Sequence, residues 1–285
     1  MHVDQPLPDP QASGVAHAAH ARPLIQSLWI GDRLSAMEQL CMASFLQHGH
    51  TFHLFAYGDV QGVPDGVLLQ DAATILPANR IFKYRQRNSY AGFANLFRYK
   101  LLWERGGCWV DADMICLKTL EPAAEHVFVA ERARARQHRR GWLCRLLRRK
   151  PSCASTPEPA PNGGINNCFI QAPAGSTIMS YCYREADQKD TRKLEWGETG
   201  PRLLTEAVAH FALGSCVARP EVFCPIDWWN WRQVIAANPP ADALDGAQCV
   251  HLWNEMWRRN HVDKNGVFPS TCLYEQLKRR YHVQP

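Results

Sequence analysis

No stretch of the 285-residue chain reaches the roughly 18 uncharged apolar residues that a membrane-crossing helix needs, so an integral membrane protein is not expected. The opening segment, Met1 to Pro23, has neither a basic start nor an apolar core, and no secretory leader is expected there. No internal repeat is present. Cysteine is not scarce, but paired spacing is: the 11 cysteines are odd in number and run from Cys41 to Cys272 without a CxxC. That argues against a disulfide framework and against a zinc module. They read as small core hydrophobes in a reducing cytoplasm. Net charge is also lacking over most of the chain. Between Glu131 and Pro161 nine Lys/Arg stand against two Glu, a local +7, whereas the remainder holds 23 basic and 25 acidic residues. With 46% apolar and 21% charged residues, the composition is that of a globular domain with a sizeable core.

Residues 1–22, rich in Pro, Ala, His and Gln, are expected to be a flexible tail ahead of a single domain over 23–285. Leu24 to Ile30 reads as a buried strand ending at Gly31. Ser35-x-x-Glu38 is a capping box opening a helix with Met37, Leu40, Cys41 and Phe45 on one stripe. Thr51 to Tyr57 alternates into a second strand, and this β-α-β opening implies a parallel sheet with helical crossovers. A helix over Tyr90 to Arg105, with Ala94, Phe97 and Leu101 as its stripe, stops at Gly106-Gly107. Short strands follow at Cys108–Val110, Met114–Leu117 and Val127–Ala130. After the basic insert, at about 131–160, a turn-rich loop leads into Cys168-Phe169-Ile170. Helices are expected at Ser176–Asp187 and Pro201–Phe211.

The chemistry concentrates in Gly106-Gly107-Cys108-Trp109-Val110-Asp111-Ala112-Asp113. Two carboxylates two residues apart at the end of an apolar strand are costly to bury unless a positive charge pairs with them. Oxygen ligands suit Mg²⁺ and Mn²⁺, and the carboxyl ends of strands are where an open parallel sheet receives ligands. A solvated acidic turn is the plain alternative. Asn95 and Arg98, three apart on the preceding helix, share a face. An arginine and an amide aimed at that strand end would hold sugar hydroxyls or a phosphate; a solvated helix face is the other reading.

The stretch from Ser89 to Asp113 resembles the sugar-binding region of the retaining DXD glycosyltransferases. That group includes initiating mannosyltransferases, α-galactosyl- and α-N-acetylglucosaminyltransferases and bacterial capsular-sugar transferases. The shared pattern is an acid-x-x-Arg helix, a Gly-Gly turn, and an aromatic or apolar strand into DXD. The resemblance runs from Leu24 to Tyr281. It implies an α/β fold of the GT-A type: one Rossmann-like nucleotide-sugar-binding domain with a mostly parallel central sheet flanked by helices. It implies a nucleotide-sugar donor, a UDP-sugar above others, and a Mn²⁺ or Mg²⁺ ion. Asp113 would coordinate that ion, Asp111 would touch the ion or the ribose, and Arg98 would contact the donor sugar or diphosphate. Many members carry Asp where this chain has Asn95; an amide binds a hydroxyl but is neither a base nor a strong metal ligand, which leaves the donor sugar open. The implied acceptor is a growing polysaccharide, a lipid-linked sugar or a glycoprotein.

Val250-His251-Leu252-Trp253 is the second candidate segment. By the same resemblance His251 is a third metal ligand or a phosphate contact, and Trp253 packs on the donor; both are also ordinary core residues. Trp29 and Ile30 at the end of the first strand, and Tyr57 at the end of the second, are placed to face the nucleotide base. Of Asn166 and Asn167, one is expected near the sugar and the other to be structural. Asp227, beside Trp228 and Trp229, is a possible sugar contact.

In the basic insert, Trp142, Leu143, Leu146 and Leu147 are rimmed by arginines. Residues 132–150 suit contact with an anionic membrane surface, which would put a cytoplasmic enzyme on the inner membrane face. A solvated loop is the alternative. No nucleic-acid-binding module is recognisable. Two other functions compete: a metal-dependent phosphoesterase using Asp111 and Asp113, and a non-catalytic membrane-surface binding module.

Overall fold

A computed structural model describes residues 22–121, 124–134, 163–240 and 242–284. The expected tail, apart from Arg22, and the insert beyond Arg134 lie outside the described residues.

The fold is mixed α/β. In chain order it runs β1 (Ile25–Trp29), α1 (Ala36–Gln47), β2 (Phe52–Ala56), β3 (Val67–Asp71), α2 (Ala91–Arg105), β4 (Gly107–Val110), β5 (Met114–Cys116), β6 (Val127–Ala130) and β7 (Ile165–Ala172). Then come α3 (Thr177–Asp187), α4 (Leu203–His210), β8 (Val217–Ala218), α5 (Pro220–Phe223), β9 (Cys249–His251), α6 (Asn254–Arg259) and α7 (Leu273–Arg280). Seven strands form one sheet in the order β3-β2-β1-β4-β7-β6-β8. The first four are parallel, β7 is antiparallel to both neighbours, and β8 is parallel to β6. The mostly parallel sheet expected from the sequence is therefore present, with one antiparallel strand inserted at its centre.

Both faces of the sheet are covered. Ile25 and Val110 join a cluster under α1 and α7, whereas Leu28 and Trp109 join a second cluster under α2, α3 and α4. Burial on both faces is why β1 does not alternate; its buried Gln26 and Ser27 are satisfied by donating to the carbonyls of Gly106 and Val110 at 2.7 and 2.8 Å. Each fully buried aromatic such as Phe45 or Phe97 contributes roughly 1.5–3 kcal/mol.

The Ser35 capping box is formed: Glu38 accepts hydrogen bonds from the Ser35 backbone N–H at 2.8 Å and from its hydroxyl at 2.5 Å. The apolar stripe of α1 is wider than expected, since Ala36, Met42 and Ser44 are buried as well. The cause is β5. It was expected simply as the next apolar strand, but it pairs antiparallel with β9 in a separate two-stranded ribbon against α1. Gly106 ends α2 at φ 66°, and a Cβ there would lie 2.4 Å from the Ala174 backbone nitrogen. The turn between α2 and β4 thus requires glycine both for its left-handed conformation and for the close approach. The helix expected from Pro201 begins instead at Leu203. Gly200, at φ −106° and ψ −114°, breaks the preceding wide turn over Glu198–Arg202.

Candidate active site

β2 and β3 lie on one side of β1 and β4 lies on the other, so the strand order reverses at the β1/β4 boundary. The crevice at such a reversal is where open α/β sheets take ligands. Here it opens into a cleft of about 1000 Å³ that takes in Trp29, Ile30, Asn95, Arg98, Asp111 and Asp113.

Asp111 is held from two sides. Trp109 donates its indole N–H to Asp111 Oδ1 at 2.9 Å, and Arg98 approaches the same oxygen at 3.0 Å. Arg98 is only 3% exposed. Its guanidinium lies 4.7 Å from the Trp109 ring centre and donates to the carbonyls of Ala94 and Asn167. Arg98 therefore holds Asp111 and the backbone of Asn167 on β7 while itself lining the cleft.

Asp113 is buried, and its partners come from the far end of the chain. The β5/β9 register sets Met114 against His251, which brings His251 Nε2 to 3.1 Å from Asp113 Oδ2. Trp253 sits in the left-handed conformation at φ 61° and starts α6, so that the Asn254 N–H donates to the same oxygen at 2.7 Å. A non-glycine residue holds that conformation at a cost of order 1–3 kcal/mol. Burial works against charge on both members of the pair, but their attraction prevails. His251 holds Asp113 below the ordinary carboxylate value, and Asp113 raises His251 well above the ordinary imidazole value. One ligand atom from each of Asp111, Asp113 and His251 lies within 4.8 Å of the other two. Two carboxylates and an imidazole are a donor set that suits Mn²⁺ or Mg²⁺.

The remaining expected residues divide. Trp29 and Ile30 line the cleft, and Lys264 Nζ lies 5.5 Å over the Trp29 ring. The side-chain amides of Asn95 and Asn167 pair at 2.6 Å beside Gly200. Asn166 lines the cleft with its amide fully engaged, donating to Glu131 at 2.9 Å and accepting from the Cys168 N–H at 2.8 Å. Trp253 lines it with its ring centre 4.0 Å from that of His251. Tyr57 does not reach the cleft. It lies one strand further from the reversal, donates its hydroxyl to the Leu76 carbonyl at 2.8 Å and packs on Phe93. Asp227 is likewise taken up elsewhere: Arg132 binds its carboxylate at 2.8 Å, and Trp228 faces the cleft instead. Arg132, counted in the basic insert from the sequence, is thus anchored to Asp227 and to Glu221, also at 2.8 Å.

Glu131 and Lys264 are among the cleft residues that escaped the sequence reading. Glu131 was hidden by the arginines that follow it. Burial raises its carboxyl above the ordinary value, against the opposing pull of the Asn166 amide and His251. Lys264 stands in the polar turn Asp263–Gly266 and is fixed by an ion pair to the buried Glu38.

The candidate site thus sets paired aspartates beside a sheet reversal, with a histidine closing on them. Two family models match this chain: "Glycosyltransferase sugar-binding region containing DXD motif" over residues 59–130, and "Alpha 1,4-glycosyltransferase conserved region" over residues 173–282. The first match holds α2, Asp111 and Asp113; the second holds His251, Asn254 and Lys264. The chain therefore carries both regions of the DXD glycosyltransferases, as the resemblance of Ser89–Asp113 implied. It is 24% identical over 198 residues to lactosylceramide 4-alpha-galactosyltransferase of Rattus norvegicus, covering 65% of this chain and 45% of that protein. It is 21% identical over 227 residues to alpha-1,4-N-acetylglucosaminyltransferase of Homo sapiens, covering 75% of this chain and 56% of the relative. The chain thus spans about half the length of these relatives. Among solved structures, PaToxG Glycosyltransferase superposes with a TM-score of 0.43 at 15% identity, over 92% of this chain and 87% of its own.

Proposed function

We propose that this chain transfers a hexose or N-acetylhexosamine from a UDP-sugar to a saccharide or glycoconjugate acceptor, with retention at the anomeric carbon and with Mn²⁺ or Mg²⁺. The observation that carries this reading is the grouping of Asp111, Asp113 and His251 within 4.8 Å at the sheet reversal. The relatives' names specify galactosyl and N-acetylglucosaminyl transfer with an α product, so these two sugars are the first donors to test. An α product from an α-linked donor is retention.

Asp111, Asp113 and His251 would hold the cation, which when bound supplies charge neutralisation to the departing diphosphate. The protein's own part is preorganisation. Arg98 and Trp109 fix Asp111 before any ligand arrives, so no reorganisation is required during reaction. The Asn254 N–H fixes Asp113 in the same way. Lys264, tied to Glu38, keeps a positive charge beside Trp29 where the nucleotide would lie. Asn95 and Asn167 offer amides for sugar hydroxyls. Glu131, desolvated and, among the described residues, hydrogen-bonded by the Asn166 amide alone, offers a carboxylate on the cleft wall.

Thermal-shift screening against a nucleotide-sugar panel, with Mn²⁺ or with chelator, tests the proposal. The expected result is stabilisation by one UDP-sugar only with the metal, and its loss in Asp113→Ala. Turnover of phosphodiesters without any sugar-nucleotide response would replace it with the phosphoesterase reading.

A further inference from the structure

His251 has a second nitrogen that the aspartate site does not use. Its Nε2 faces Asp113, whereas Nδ1 is buried and, among the described residues, makes no hydrogen bond of standard geometry, the Cys168 thiol being the group that interacts with the ring. An unsatisfied buried nitrogen is costly and calls for an explanation. The neighbouring chemistry is sulfur: a ring nitrogen of His251 and the Sγ atoms of Cys168 and Cys224 lie within 4.8 Å of one another, and all three residues are buried. The two sulfurs are 3.6 Å apart. Cys168 comes from β7, Cys224 closes α5, and His251 ends β9, so no sequence spacing reveals the group.

We propose that Cys168, Cys224 and His251 Nδ1 form a second metal site, separate from the aspartates, for a thiophilic divalent cation of the Zn²⁺ class. Two thiolates bound at ~2.3 Å to one tetrahedral ion stand roughly 3.8 Å apart. The observed separation is close to that and far from the ~2.0 Å of a disulfide. Ligand softness separates the two sites: thiolate sulfur selects a Zn²⁺-like ion, while the carboxylates favour Mg²⁺ or Mn²⁺. Binding displaces the two thiol protons and any proton on Nδ1, and Nε2 keeps its own. That N–H points at Asp113, so with this site loaded His251 is a hydrogen-bond donor that orients the carboxylate, and the aspartate site holds its cation through Asp111 and Asp113 without His251 as a ligand. The inference rests on the sulfur and nitrogen atoms alone and stands whether or not the chain transfers sugars.

The test uses Cd²⁺ as the probe on the reduced, full-length chain in excess Mg²⁺, read by the ultraviolet sulfur-to-cadmium charge-transfer band and by equilibrium dialysis. The expected result is a tightly held equivalent of Cd²⁺ with the thiolate band, retained in Asp111→Asn. Cys168→Ser and Cys224→Ser should each weaken it by about 100-fold or more, beyond the ~10–100-fold that losing an outer-shell partner costs. Anomalous diffraction from Cd²⁺-treated wild-type crystals locates the ion without any variant. Density between the two sulfurs and His251 supports the site. No thiolate band, a band unchanged in both serine variants, or an ion seated only on the aspartates or on other cysteines overturns it. The UDP-sugar thermal shift reports separately on the transferase reading, so either can fail alone.

Discussion

Asp113 is the residue on which the candidate site turns. It accepts two hydrogen bonds from a segment more than a hundred positions away, and it offers an oxygen to the cleft. Asp113→Asn keeps the shape and removes the charge. Turnover of the preferred sugar nucleotide should fall by about 100-fold or more, the scale on which a preorganised electrostatic group acts; steady-state kinetics at saturating metal measures it. Glu131 gives a prediction of the opposite sign for stability. Its folded pKa is raised, so the stability linked to its protonation is present below the ordinary carboxylate value of about 4.3 and is lost as pH rises through the folded value. Glu131→Gln should therefore melt above wild type at neutral pH, with the gap closing as pH falls through the raised folded value and gone below about 4.3. A melting series across pH decides it, and a constant gap would disprove the linkage.

At the scale of elements, α1 and the wide turn before α4 carry the clearest tests. Ser35→Ala removes the cap of α1 and should cost about 1 kcal/mol, a fall of ~2–4 °C in melting temperature for a domain of this size. A Cβ on Gly200 would lie 2.9 Å from the Asn95 amide nitrogen and 3.0 Å from that of Asn167. Gly200→Ala should cost ~1–3 kcal/mol by overpacking and raise KM for the donor, since the amide pair must shift. The elements read correctly from sequence were those whose signals are local. Ser35-x-x-Glu38, Gly106-Gly107 and the strand segment from Leu24 into Trp29, stopped before Gly31, each act within a few residues, and each is found where expected. The ribbon of β5 with β9 was not legible, because its three-residue strands carry no period and their pairing spans most of the domain. Tyr57 was misplaced for a related reason. Strand-end position is visible in a sequence, but which strand borders the reversal is not.

For the whole molecule, the β-α-β opening and the DXD stretch were enough to expect a parallel α/β sheet with a cleft at its carboxyl edge. The antiparallel β7 at its centre was not expected, since apolar residues buried on both faces read alike in either direction. With metal present, the donor should stabilise the folded chain by about 2.7 kcal/mol when it is at 100 times its Kd, and without metal the donor should not; calorimetry with each omitted in turn checks the coupling.

The seven-stranded sheet is complete at Ala218, but among the described residues the hydrogen-bond partners of the Asp113 carboxylate, His251 and Asn254, come later in the chain. The candidate site is therefore assembled only when the closing segment, from β9 onward, docks beside β5 and completes the core on that face of the sheet.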